Sequence, residues 1–264
     1  MSAPAWPLAL LLAAAPAAAG TAASQNKILA QVGFDQNLGT SVPLDAPFRD
    51  ASGRTVRLRG LLQGKPAVLA LVYYKCPMLC TETLNGLVRA LRAISFDAGR
   101  QYDVVVVSFD PRETPALAAA KKTLYVERYG RAGGARGWSF LTGGEPSIRR
   151  LAGAAGFRYA YDPELDQYAH ATGLVVLTPA GRISRYLYGV EYAAGDLRLA
   201  LVEASAGTIG TPVDQLLLYC YHYDPLTGKY GLVVTRALRV AGVLTVLLIG
   251  GLILGLSLRR KAAP

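Results

Sequence analysis

Residues 66–74, PAVLALVYY, constrain the fold of this chain more than any other stretch, because a continuous apolar, β-rich run is the pattern of a strand buried on both faces. A second run of the same kind, DVVVVSF, occupies residues 103–109. Between them, residues 81–94 place Leu84, Leu87, Val88, Leu91 and Ile94 at helical spacing, which predicts an amphipathic helix packed on the sheet. Strand, helix and strand form a β-α-β unit, so the two strands are expected to be parallel. Farther on, residues 115–129 and 145–155 read as helices. Residues 173–177 and 183–188 read as strands around the turn Pro179-Ala180-Gly181, and residues 50–53 as a hairpin turn between Phe48 and Val56. The expected class is α/β, a mixed sheet flanked by helices.

Both ends of the chain carry membrane-directed signals. Residues 5–19 are rich in Ala and Leu and end in small residues suited to cleavage near Ala19 or Ala23, although no Lys or Arg precedes the run. The expectation is an export signal over residues 1–23. Residues 240–258 form an uncharged run that as a helix is about 28 Å long, against a hydrocarbon core of about 30 Å. With Arg236 and Arg239 before it and Arg259, Arg260 and Lys261 after it, the run is expected to be a C-terminal transmembrane helix. Both flanks are basic, so charge alone orients the helix weakly. A cleaved signal followed by a stop-transfer helix decides the matter, placing the main domain outside the cytoplasm. The expectation is a single-pass protein of the bacterial inner membrane, with its domain in the periplasm and its C-terminus in the cytoplasm. The expected divisions are a signal at 1–23, an N-terminal extension at 24–47, a globular domain at 48–210, a Tyr-rich juxtamembrane segment at 211–239, the membrane helix at 240–258 and a basic tail at 259–264.

The formal net charge of +10 suggests a nucleic-acid partner only until it is divided. Five of the 28 basic residues flank or follow the apolar C-terminal run, leaving 23 against 18 acidic residues spread along the rest of the chain. No polyanionic partner is needed to explain that balance. The chain has only three cysteines and two histidines. Three cysteines in an exported domain cannot all pair with one another, so a disulfide framework fits poorly.

The chemistry is concentrated where the first buried strand ends, in Tyr73-Tyr74-Lys75-Cys76-Pro77-Met78-Leu79-Cys80. Two cysteines four apart at a helix start share one face, near unsatisfied N–H groups and the positive end of the helix dipole. That setting favours thiolate. Two neighbouring thiolates repel, so Cys76 and Cys80 are comfortable as a disulfide or with a cation between them. Soft sulfur donors select Cu(I), zinc or iron–sulfur clusters, and copper also accepts imidazole. His170 is the best candidate for a third donor, since it precedes the strand at 173–177 in what reads as a loop facing the same end of the sheet. On spacing alone, a solvated surface histidine is the more ordinary reading.

Three spaced motifs, YYKCPMLCTETL, VVVVSFDPRETP and YAHATGLVVLTPAGRI, resemble the Sco/SenC family of copper-binding assembly factors for cytochrome c oxidase over residues 48–201. The resemblance implies a thioredoxin-like fold in which a Cys-x-x-x-Cys pair and a distant His bind one copper ion, as Cu(I) or Cu(II). It also implies delivery of that copper to, or preparation of the thiols of, the dinuclear centre of oxidase subunit II. An upstream copper donor or thiol reductase is implied as a second partner. The matching positions are Cys76, Cys80 and His170. The chain departs from the family in having Ala169, where an Asp often precedes the His, and in carrying its anchor at the C-terminus rather than the N-terminus.

Three other residues are candidates for lesser roles. Asp110 ends the second strand on the edge that carries the cysteine loop, where it could orient a ligand; as a helix cap it would need no such role. Cys220 and His222 alternate in a Tyr-rich stretch, and as neighbours on one side of an extended strand they would make a secondary metal site. Tyrosines at a membrane interface explain that stretch but leave the thiol unexplained. A different class, an exported thiol:disulfide oxidoreductase of the same fold, usually has Cys-x-x-Cys and a facing cis-proline, whereas here the spacing is longer and the facing segment offers His170. A thiol peroxidase has weak support from Lys75 and Thr81, and no haem-attachment, phosphate-loop or His-Glu-x-x-His motif occurs.

Overall fold

The computed structural model describes residues 28, 30–76 and 79–209, with the short stretches 223–224, 229–230, 239–240, 242–247 and 249–250. The chain divides into two compact units, 1–209 and 210–264. The first unit opens with three short strands, β1 (Gly33–Phe34), β2 (Pro47–Arg49) and β3 (Thr55–Arg57), followed by the short helix α1 (Leu58–Leu62). Strands β2 and β3 form the expected hairpin, Phe48 opposite Val56, and the Asp50 carboxylate accepts the backbone N–H groups of Ser52 and Arg54 to fix its turn.

The β-α-β unit follows as β4 (Ala67–Val72), α2 (Leu79–Ala93) and β5 (Asp103–Ser108). Every residue of β4 and β5 is buried, and the two strands pair in parallel from Ala67 opposite Asp103 to Val72 opposite Ser108. Helix α2 buries Leu84, Leu87, Val88 and Leu91, the stripe that its 3.6-residue period requires. It also passes so close to the 189–192 loop that a Cβ on Gly86 would lie 1.8 Å from the Val190 carbonyl oxygen, so no other residue fits there.

After β5 come α3 (Pro115–Tyr129), the single turn α4 (Gly134–Gly137), β6 (Trp138–Leu141) and α5 (Glu145–Ala154). Helix α3 is capped by Thr114, whose hydroxyl accepts the Leu117 N–H at 3.4 Å, with Pro115 in the first turn. The cap is therefore Thr114 and not Asp110. Next are β7 (Phe157–Asp162), β8 (Gln167–His170), β9 (Gly173–Leu177), β10 (Ile183–Tyr188) and α6 (Ala194–Ser205), which buries Leu197, Ala200, Leu201 and Ala204. The central sheet has the order β10-β9-β4-β5-β6, with β4, β5 and β6 parallel and β9 antiparallel to β4. This is the mixed, helix-flanked sheet expected of a thioredoxin-like fold.

Strand direction positions the site. Because β4 and β5 are parallel and β9 runs against β4, the C-terminal ends of β4 and β5 meet the N-terminal end of β9 at one edge. Residues 73–76, 79–80, 109–114 and 170–172 gather there. A second sheet, β1-β7-β8, stands beside this edge. Here the expectation for His170 is corrected: it is not in a loop but is the last residue of β8, paired with Tyr159. The alternation of Tyr159, Tyr161 and Tyr168 with smaller or polar residues, around the Pro- and Asp-containing tip at 163–166, makes this hairpin. Part of the stretch expected to be an extension joins the fold as well. Strand β1 pairs with β7, Val42 and Ala46 are buried, and Gly156, with φ +62°, lets the Asp35 carbonyl approach where a Cβ would lie 1.8 Å away.

In the second unit, β11 (Tyr223–Asp224) and β12 (Lys229–Tyr230) form a short antiparallel pair, and helical residues occur between 239 and 250. Among the described residues no helix is long and apolar enough to cross a membrane. About half of the expected span at 240–258 lies outside the described residues, and the expected signal, Cys220 and His222 lie wholly outside them.

Candidate metal centre

The strand-to-helix turn that carries the cysteines is held from several sides. The ladder continues past β4, since the Phe109 N–H donates to the Val72 carbonyl at 2.9 Å. The Tyr74 hydroxyl crosses β5 to donate to the Leu141 carbonyl on β6 at 2.7 Å. Glu113 then does what no backbone group can: one carboxylate oxygen accepts the Tyr74 N–H and the Ser108 hydroxyl, and the other accepts the Lys75 N–H, each N–H at 2.7 Å. Glu113 is only 6 % exposed, so its charge is stabilised by these donors rather than by water. Sequence reasoning passed over Glu113; its one trace there is an acidic residue inside an otherwise turn-like SFDPRETP segment.

Fixed in this way, the turn directs both sulfurs inward. The Cys76 N–H donates to the Tyr73 carbonyl at 3.3 Å, closing the turn. The Tyr73 N–H points at Cys80 Sγ at 3.3 Å, and the Cys80 N–H at Cys76 Sγ at 3.4 Å. Cys76 is 9 % exposed and Cys80 3 %, and no disulfide joins them. Two effects oppose each other at Cys80. The start of α2 and the Tyr73 N–H favour thiolate, by about 1 kcal/mol for the dipole, whereas full burial can raise a pKa by about 3–5 units. Burial wins, reinforced by the neighbouring Cys76 sulfur, and holds the Cys80 thiol above its ordinary value.

His170 arrives from the second sheet. Its Nδ1 lies 2.8 Å from the Ala171 carbonyl oxygen, which can only accept, so Nδ1 carries the proton and the Nε2 lone pair is left to face the sulfurs. Nε2 is 3.2 Å from Cys80 Sγ. The ring is packed edge-on against Tyr73, with centroids 5.8 Å apart, and against Phe109 at 5.3 Å. Burial, followed by the contact with Cys76, pushes the Tyr73 hydroxyl pKa up, so it stays a neutral donor.

The three donor atoms lie within 4.8 Å of one another, and among the described residues this is the one cluster of three or more Cys, His, Asp or Glu donors able to hold a metal ion. First-row metal bonds to sulfur and imidazole nitrogen of about 2.0–2.3 Å place three trigonal donors about 3.5–4 Å apart. The cluster is therefore close to a metal-sized cage before any ion enters. A cavity of about 760 Å³, lined in part by Lys65 and Asp103, is elsewhere, at the opposite end of the central sheet.

Asp110 does not reach the cluster. Its carboxylate receives Nε and Nη2 of Arg112 and the Arg112 N–H, while its own N–H donates to the Ser108 hydroxyl. At the position before His170, Ala169 pairs with Ala160 in the hairpin. The carboxylates of Asp110 and Glu113 are thus engaged by the loops around the cysteine turn.

Comparison with known proteins agrees with this architecture. An electron transfer protein of Aquifex aeolicus VF5 is 27 % identical with a TM-score of 0.57, covering 65 % of this chain and 95 % of its own. An electron transport protein of the same organism is 26 % identical with a TM-score of 0.50, covering 64 % and 99 %. A SCO1/SenC family lipoprotein from Bacillus anthracis str. Ames shares the fold at 16 % identity and a TM-score of 0.52, covering 63 % and 96 %. No curated protein matches the chain in sequence. The SCO1/SenC family model matches residues 43–198, a stretch that contains both cysteines, the histidine and the elements that bring them together, and the chain accordingly belongs to the SCO1/SenC family.

Proposed function

We propose that the protein binds one copper ion between Cys76, Cys80 and His170 and supplies it to the dinuclear copper centre of cytochrome c oxidase subunit II. The observation that carries this reading is the convergence of two buried thiols and one imidazole lone pair within 4.8 Å. Two soft sulfurs favour Cu(I), and a mixed sulfur and imidazole set also suits Cu(II). Copper is here the cargo, so the chain's own tasks are to exclude water, hold the donors and give up the thiol protons on loading. An apolar shell of Tyr73, Phe109 and Phe157 around His170 serves the first task.

The same two thiols support a second step. Closing Cys76 and Cys80 to a disulfide releases two electrons and two protons, enough to reduce one disulfide of the target to the thiols that copper needs. Transfer of copper and preparation of the target are then alternating uses of one pair.

The proposal places the domain outside the bacterial cytoplasm, anchored by residues 240–258. Support comes from the uncharged sequence of that run and from Val240, Val243, Leu244, Val246, Leu247 and Ile249, which are 54–71 % exposed on helical residues that call for lipid or a partner. The cellular test replaces Cys76 and Cys80 by Ala in the chromosomal copy. Oxidase activity should fall, with subunit II recovered short of copper, and be restored in part by added copper. Normal oxidase activity in that strain would overturn the proposal.

A further inference from the structure

The two cysteines follow β4 of the central sheet, in the turn and at the start of α2, whereas the histidine ends β8 of the second sheet, so something must set the distance between them. The loop after β5 and the tip of the β7–β8 hairpin are tied by Arg112. On the loop side, Asp110 is almost wholly buried and grips the guanidinium as a fork, from Nε to Oδ1 at 2.9 Å and from Nη2 to Oδ2 at 2.9 Å. On the hairpin side, Nη1 donates to Asp166 Oδ1 at 2.9 Å, an oxygen that also accepts the Tyr161 hydroxyl at 2.6 Å. The guanidinium plane lies over two hairpin rings, 5.1 Å from the centroid of Tyr161 on β7 and 5.6 Å from that of Tyr168 on β8. Tyr168 is two residues before His170 on one strand, so the two side chains share a face. An exposed ion pair such as Arg112–Asp166 contributes little alone. A planar cation fixed at one end by a buried fork and stacked on two rings is a rigid strut, which a lysine could not reproduce.

We propose that Arg112 is a positioning residue for His170, holding the β7–β8 hairpin at the distance at which Nε2 meets the sulfurs of Cys76 and Cys80. The inference rests on the copper site proposed above. It assigns the reach of the third donor to a side chain that contacts none of the three, and it makes the hairpin the part of the site whose release would let copper go.

The test uses the full chain in detergent, loaded with one Cu(I), and follows loss of copper to a chromophoric Cu(I) chelator. Arg112→Met should release copper about 10-fold faster than the unaltered protein, as expected when an orienting partner of a ligand is lost. Asp166→Asn, which cuts only the hairpin end at an exposed position, should shift release in the same direction by a smaller factor. His170→Ala provides the limit, and Arg112→Met combined with His170→Ala should be no faster than His170→Ala alone, because Arg112 acts through that ring. If His170→Ala accelerates release while Arg112→Met and Asp166→Asn do not, ring packing alone positions the histidine, and the Arg112 inference fails with the copper site intact. Additive effects in the double variant would equally overturn it. If His170→Ala releases copper at the unaltered rate, the three-donor site fails and the Arg112 inference falls with it.

Discussion

The two sides of the donor cluster are built differently. On the thiol side, the turn is an extension of the central sheet, pinned by the Glu113 carboxylate on two consecutive backbone N–H groups and by the Tyr74 hydroxyl across to β6. On the imidazole side, a two-stranded hairpin from a separate sheet is held by ring edges and by a half-exposed arginine. Buried, charge-assisted hydrogen bonds are costly to break, whereas ring contacts and surface ion pairs yield more readily. The contrast identifies the sulfurs as the fixed floor of the site and the histidine as its adjustable wall. A protein that must hold a metal and then surrender it has use for both.

The comparison can be broken most forcefully at its floor. Cys80→Ala should abolish stoichiometric copper binding in an anaerobic titration of the full chain, while leaving the fold intact by circular dichroism. Retention of one tight copper would mean that the sulfurs are not the floor. Next in size, Glu113→Ala leaves the buried Tyr74 N–H and the part-buried Lys75 N–H without their acceptor and takes the shorter of two acceptors from the Ser108 hydroxyl, and should cost roughly 3 kcal/mol in urea unfolding of the metal-free protein. The matching cut on the hairpin side, Asp166→Asn, should cost far less because its ion pair is exposed. Equal costs would erase the proposed asymmetry.

A smaller effect separates the sides by pH. Burial holds the Cys80 thiol above its ordinary value near 9.0, so the sulfur is protonated at neutral pH and binding must expel that proton. Apparent Cu(I) affinity should therefore rise with pH, by about 10-fold per unit for each proton released, until the thiol ionises unaided. Proton release near neutrality that is smaller than one per copper, measured in weak buffer with an indicator, would show that the floor is already ionised.

Much of the thiol side is legible in the sequence. The apolar runs at β4 and β5 and the periodic stripe of α2 mark the parallel unit, because burial on two faces or on one stripe leaves a direct trace in residue order. Cys76 and Cys80 follow from their chemistry. The hairpin that carries His170 is hidden because β8 is only four residues long and follows the turn-rich stretch Asp162-Pro163-Glu164-Leu165-Asp166, which breaks up the alternation of its tyrosines. Glu113 and Arg112 are hidden for another reason. Their importance depends on which backbone groups and rings come within reach across 38 and 54 residues of chain, and no local pattern encodes that.

The most direct test of the central claim is electron paramagnetic resonance and optical absorption of the full chain carrying one Cu(II), with and without His170. The unaltered protein should show a thiolate-to-copper absorption band together with nitrogen coupling from a single imidazole, and His170→Ala should keep sulfur coordination but lose the nitrogen. Identical spectra from the two proteins would contradict a site made of Cys76, Cys80 and His170.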